Sequence, residues 1–186
     1  ATLIALIDQG DEVIIFEPYF DLYAAAIAMA GGRRVAVPLQ PPPAGSGGSF
    51  RLDVEALAAA VTDRTRMVLV NSPHNPTGMV LTTAELQVIA DLAIEHNLLV
   101  LSDEAYEHLV FTPNRHVPIA TLPGMTARTV TVGSGGKTFS FTGWKVGWAS
   151  GPADLIAAVR VVRQHLSYVS GGPFQPAIAA GLRLPD

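Results

Sequence analysis

The 186-residue chain is 49% hydrophobic and 15% charged, a balance that can bury a sizeable core and excludes a disordered polymer. Its net charge of −4 comes from 16 acidic and 12 basic residues spread along the chain, so no basic stripe points to nucleic acid or an anionic membrane, and small-molecule chemistry is the remaining reading. With no cysteine there is no disulfide, thiol catalysis or cysteine-ligated metal, and the five histidines show no metal-ligand spacing.

In chain order, ATLIALIDQG reads as a helix cut through its middle; it is too short for a membrane span and lacks the basic leader of a signal peptide. EVIIF (12 to 16) reads as a buried strand, DLYAAAIAMA (21 to 30) as a helix closed by Gly31 and Gly32, and RVAVPL as a second strand. PPPAGSGGS (41 to 49) cannot hold regular structure and is expected as a surface loop. A short helix is predicted over 53 to 61, followed by MVLVN (67 to 71), a near-continuous apolar strand of the parallel-sheet kind. SPHNPTG then makes a tight turn. Thr82 or Thr83 caps an amphipathic helix running to about His96. LLVLSDE, RTVTVGS and KVGWAS follow as strands, and Asp154 to about Tyr168 has helical spacing behind Pro152. No internal repeat is present. Alternating strands and helices predict an α/β fold with a mostly parallel sheet, whose ligands bind beyond the carboxyl ends of the strands. That topology places Phe20, residues 71 to 78, Asp103 and residues 134 to 137 near one rim.

The stretch GSGGKTFSFTGWKVGW (133 to 148) ends its strand in GKT and so invites a phosphate-loop reading. A Walker-type loop needs a glycine at position 131, where this chain has threonine, and the following residues make a poor helix. The basic residues are ten arginines and two lysines, Lys137 and Lys145, both inside this stretch. Arginine stays protonated and cannot serve as an amine nucleophile, whereas lysine can. The placement of the two lysines reads either as chance under an arginine-favouring coding bias or as chemistry that requires an amine.

Taken together, EPYFDLY, NSPHNPTG, SDEAYEHLVF and GSGGKTFSFTGWKVGW resemble the fold type I pyridoxal-phosphate enzymes, specifically the class I/II aminotransferases, in order over nearly the whole chain. SPHNPTG, EHLVF and YVSGGPFQPA are similar in wording to the N-succinyldiaminopimelate aminotransferase branch, with kynurenine and glutamine aminotransferases beside it. The resemblance implies a three-layer sheet with helices on both faces, pyridoxal 5′-phosphate as cofactor, and amino-group transfer between an amino acid and a 2-oxo acid. It also implies a cytoplasmic homodimer with no metal, nucleic-acid or membrane partner. By the same resemblance, residues 1 to 186 are expected to be the central part of the cofactor-binding large domain. The N-terminal segment and the C-terminal small domain, with its substrate-carboxylate arginine, would lie outside, and the piece alone would turn over little substrate.

The resemblance also assigns roles. Lys137 would carry the cofactor and shuttle a proton, and Asp103 would pair with the ring nitrogen. Asn75 and Tyr106 would bond the phenolic oxygen, Phe20 would stack on the ring, and Ser134 and Lys145 would bind the phosphate. Structural alternatives stand beside these: Asp103 as a helix N-cap, Asn75 as a turn residue, and Phe20 as a core aromatic with Tyr19 as the nearer misassignment. His74, His108, Trp144 and Trp148 read as packing or turn residues. Two other activities fit the same motifs: a β-lyase, and a non-catalytic ligand-sensing module of a regulator.

Overall fold

The computed structural model describes residues 1–169 and 171–184; Ser170, inside YVSGGPFQPA, and the last two residues lie outside the described residues. Six strands form one sheet: β1 (Glu12–Glu17), β2 (Arg33–Pro38), β3 (Thr65–Asn71), β4 (Leu99–Asp103), β5 (Thr129–Ser134) and β6 (Gly147–Ser150). Their order is β2-β1-β3-β4-β5-β6, with the first five parallel and β6 antiparallel at the edge. The helices are α1 (Thr2–Leu6), α2 (Leu22–Met29), α3 (Val54–Ala59), α4 (Thr83–Glu95), α5 (Gly135–Thr138), α6 (Ala153–Leu166) and α7 (Gln175–Gly181). No helix among the described residues is long and apolar enough to cross a membrane.

Side chains alternate across a strand, so apolar runs such as VIIF and MVLV must feed two cores, one on each face. Ile14, Phe16, Val68, Val70 and Val100 pack against Leu57 of α3 and Leu86, Ile89 and Ala93 of α4. Val13, Ile15, Met67, Leu69 and Leu101 pack on the opposite face against Leu3 of α1 and Tyr23 and Ile27 of α2, with Leu155 and Ile156 of α6 beside them. This is the three-layer arrangement expected from the sequence. The chain leaves β1 through α2 toward one edge and returns to place β3 on the other side of β1, so the strand order reverses between β1 and β3. At such a reversal the loops beyond the carboxyl ends diverge and open a crevice.

Local signals explain the boundaries. Thr82, rather than Thr83, caps α4: its hydroxyl accepts from Glu85 N while the Glu85 carboxylate accepts from Thr82 N, at 3.2 and 2.8 Å. The other Glu85 oxygen accepts from Leu52 N at 3.1 Å, fastening the end of the proline-rich loop to the helix. The sixth strand starts later than KVGWAS suggests. Lys145 has φ of 53°, in the left-handed region that cannot continue a strand, and pairing begins at Gly147. α7 was not anticipated from the sequence; it docks Ile178 into the site side of the sheet, close enough that a Cβ at Gly135 would sit 2.8 Å from it.

The opposite, amino-terminal ends of the strands are held by Glu12, whose side chain is fully buried. It pairs with Arg33 and Arg64 and accepts from Thr62 Oγ1 at 2.8 Å, joining β1 to the starts of β2 and β3. Desolvation alone raises a buried carboxyl's pKa, but the bonds from Arg33, Thr62 and Arg64 and the charge of Arg33 outweigh it and hold Glu12 below the usual glutamate range. Because the folded value is depressed, the stability Glu12 contributes is complete above the ordinary glutamate range and is lost as pH falls through the lowered value. We expect Glu12→Gln to cost about 1–2 kcal/mol at pH 7, the loss of charge-assisted bonds to arginines that are themselves mostly exposed and screened. Urea unfolding at neutral and acid pH checks this: the gap between variant and parent should close as the pH drops.

Candidate active site

The sequence-predicted residues gather at the carboxyl ends of the parallel strands. Asp103 ends β4, in register with Asn71 at the end of β3 on one side and with Val132 of β5 on the other. It is half-buried and forms no helix cap, because residues 105–108 make turns rather than a helix; its Oδ1 accepts from Ala105 N at 3.1 Å. Its Oδ2 accepts a 2.6 Å bond from the hydroxyl of Tyr23, which comes from the first turn of α2 beyond β1. Burial first, then the charge of Asp103 and the bond to it, push the Tyr23 phenol far above its ordinary value. Tyr23 therefore stays a donor at every working pH.

Phe20 precedes α2 and stands edge-on to Tyr23, with ring centroids 5.6 Å apart. It is 38% exposed, so it is no core aromatic, whereas Tyr19 turns away to accept a hydrogen bond from Arg34. The three-residue spacing of Phe20 and Tyr23 thus delivers an exposed ring and a buried hydroxyl to the same place.

SPHNPTG closes on itself through Gly78 N to His74 O and His74 N to Met79 O, both 2.8 Å. His74 is buried in this turn with Nδ1 2.8 Å from Thr77 Oγ1, and burial pushes its pKa down to about 4, so it is a neutral packing residue. Asn75 and Tyr106 line one open cavity of about 340 Å³ together with His74, Leu109 and Phe111. Asp103 and Tyr23 border a second, mainly apolar one of about 380 Å³ that includes Leu69, Leu101 and Val132.

Lys137 lies in α5, the single turn that begins where β5 ends. The turn is crowded: a Cβ at Gly136 would lie 3.0 Å from Thr142 Cα and 3.2 Å from Phe141 O. The two glycines let the backbone fold tightly enough to bring the half-buried Lys137 ammonium over the Tyr106 ring, 5.5 Å from its centroid. Ser134 pairs with Gly147, and Gly135 N donates to Val146 O at 3.1 Å, which puts Lys145 just past the paired end of β5 and β6 and next to the Ser134 turn. Trp144 beside it is stacked between Phe141 and Phe174, at 4.8 and 4.6 Å, a packing role as expected.

Two participants are absent from the sequence-based set. Tyr23 was visible as the last residue of EPYFDLY, but nothing local says that its hydroxyl crosses to Asp103, 80 residues away. Asn71 closes an apolar strand, where a polar residue buried at 4% exposure is itself a signal, yet its partners are defined only by the sheet register.

The fold and this rim define an α/β domain that gathers a lysine, a carboxylate and hydrogen-bond donors at the carboxyl ends of its parallel strands. The chain belongs to the aminotransferase class I and II family, which it matches over residues 1–186. It is 53% identical, over its whole length, to the probable N-succinyldiaminopimelate aminotransferase DapC of Mycobacterium tuberculosis, covering 46% of that protein. Kynurenine–oxoglutarate transaminase 3 of Bos taurus is 49% identical over 178 residues, 94% of this chain and 39% of the relative. The solved structure of N-succinyldiaminopimelate aminotransferase from Mycobacterium tuberculosis superposes with a TM-score of 0.93 at 53% identity, over 97% of this chain and 46% of that one. The chain thus spans about half the length of the relatives it matches.

Proposed function

We propose that these residues form the cofactor-binding face of a pyridoxal 5′-phosphate-dependent aminotransferase. The observation that carries this reading is the Lys137 amine over Tyr106 at the same rim as the Tyr23-bound carboxylate of Asp103. The residues fit the group. Each Asp103 oxygen takes one bond from the protein, on Oδ2 from Tyr23 and on Oδ1 from Ala105 N, and a carboxylate has about four acceptor sites, so capacity remains for a protonated ring nitrogen. Ser134 and Lys145 supply a hydroxyl and a cation, a donor set suited to a phosphate. When bound, pyridoxal phosphate supplies an aldehyde that can hold an amine covalently and a ring that draws electrons from the bond breaking at the substrate Cα.

The chain's residues divide the remaining work. Lys137 Nζ would hold the cofactor and would take the proton that leaves the substrate Cα; lysine can do this because its amine can be neutral, as a guanidinium cannot. Asp103 holds a proton on the ring nitrogen, and Tyr23 fixes the carboxylate in place. Asn75 and Tyr106, which line one cavity, would donate to the phenolic oxygen. Phe20, exposed beside Tyr23, would offer its ring for stacking. Ser134 and Lys145 would hold the phosphate at the β5–β6 end.

The test uses the full-length protein. After incubation with pyridoxal phosphate and reduction with borohydride, the cofactor should be found on the peptide containing Lys137; label on any other residue refutes the assignment. For the substrate, 53% identity to a probable N-succinyldiaminopimelate aminotransferase supports N-succinyl-LL-diaminopimelate with glutamate as the pair to try first, and 49% identity to a kynurenine transaminase supports kynurenine as the competing donor. Cofactor uptake on Lys137 without turnover of any amino acid would favour the ligand-sensing module instead.

A further inference from the structure

We infer that Asn71 is a positioning residue that couples two groups proposed to hold the cofactor ring, Asn75 and Asp103; the inference rests on the function proposed above. Asn71 is the last residue of β3, 4% exposed, and in register with Asp103. Both ends of its carboxamide are used. Oδ1 accepts from the backbone N of Asn75 at 2.8 Å. Nδ2 donates to the carbonyl of Asp103 at 3.0 Å and to that of Pro73 at 3.2 Å. Ser72 N adds a second donation to the Asp103 carbonyl at 3.2 Å.

The consequence is geometric. Asp103 is the last residue of β4 and still in register with Asn71, whereas Asn75 lies in a turn four residues beyond the end of β3. The ladder does not reach Asn75, and the Asn71 side chain ties its turn to the end of β4. Only a carboxamide of this length offers an acceptor toward one segment and donors toward the other. An aspartate would face the Asp103 and Pro73 carbonyls with oxygen, and a leucine would leave buried backbone groups without partners. A hydroxyl, with a single O–H to donate, could not serve both the Asp103 and the Pro73 carbonyls.

Two readouts test this in the full-length protein, each with Asn71→Ala and the isosteric Asn71→Asp. In the cofactor-free protein, Asn71→Ala should speed hydrogen exchange at the Asn75 amide about tenfold, the loss of one part-buried bond, while the Val68–Val70 amides of β3 keep their protection. Asn71→Asp keeps the acceptor and should leave that amide protected. In the cofactor-loaded protein both variants should raise the pyridoxal phosphate dissociation constant about tenfold and shift the pH titration of the bound cofactor's absorption. Adding Asn71→Ala to Asn75→Ala should move that titration little further, since Asn71 acts through Asn75 on that side.

An unchanged dissociation constant and titration in Asn71→Ala, with only thermal stability reduced, would mean a merely structural role and overturn the inference. Full additivity with Asn75→Ala would do the same. If Asn71→Ala does not fold, Asn71→Asp decides alone, and a parental dissociation constant in it is the overturning result. A parent protein that takes up no cofactor sinks the proposed function, while the exchange measurement still judges the Asn71 link.

Discussion

Replacing Lys137 by alanine in the full-length protein should lower kcat by about four orders of magnitude or more, and replacing it by arginine should rescue none of the loss. The reason is chemical rather than electrostatic. Arginine would keep a cation near the Tyr106 ring, where Lys137 Nζ now lies 5.5 Å from the centroid, but a guanidinium offers no neutral nitrogen to bond an aldehyde or accept a proton. The other lysine supplies the contrast. Lys145 sits one residue beyond Trp144 in a left-handed backbone conformation that a lysine adopts only at some cost, of order 1 kcal/mol. Its proposed task is a fixed charge beside the phosphate. Lys145→Ala is therefore expected to raise the cofactor dissociation constant about ten- to hundredfold, the worth of one charge-assisted contact, with turnover recovered by added pyridoxal phosphate. Steady-state kinetics at several cofactor concentrations separate the two. Wild-type turnover by Lys137→Arg would end the assignment of Lys137 as the reactive amine.

Asp103→Asn should reduce kcat by about 10²- to 10³-fold, the usual cost of removing one preorganised charge from the place where it stabilises the reacting system. An amide cannot hold the ring nitrogen's proton as a carboxylate does. It also weakens the bond from Tyr23, whose hydroxyl, kept protonated by burial, now donates to a charged oxygen at 2.6 Å and would meet a neutral amide instead. Tyr23→Phe leaves the charge and removes only the 2.6 Å bond that fixes it, so its expected loss is smaller, about tenfold. The pH titration of the bound cofactor's absorption, measured with kcat, distinguishes a lost charge from a loosened one. Parental rates in Asp103→Asn would show that this carboxylate does not serve the ring.

The order of these effects is the order in which the residues touch the chemistry, and it also matches how readable they were. Lys137 and Asp103 stand out in one dimension. Lysine occurs only twice in the chain, and Asp103 ends an apolar strand where charge needs a reason. Asn75, Ser134 and Lys145 were reached through motifs whose turn residues mark their own loops. Tyr23 and Asn71 were not, because the bonds that tie them to Asp103 span 80 and 32 residues.

The sequence by itself determined the sheet and its two faces, since continuous apolar runs of β-branched residues can be satisfied only by burial on both sides, and helices between them force parallel crossovers. It also determined which residue types were available for amine and carboxylate chemistry. Tertiary structure alone decided that β3 lies between β1 and β4, that Asn71 and Asp103 share a register position, and that Lys145 turns out of β6. Strand order and register arise from packing and ladder bonds between segments far apart in the chain, and local patterns of hydrophobicity do not encode which strand meets which.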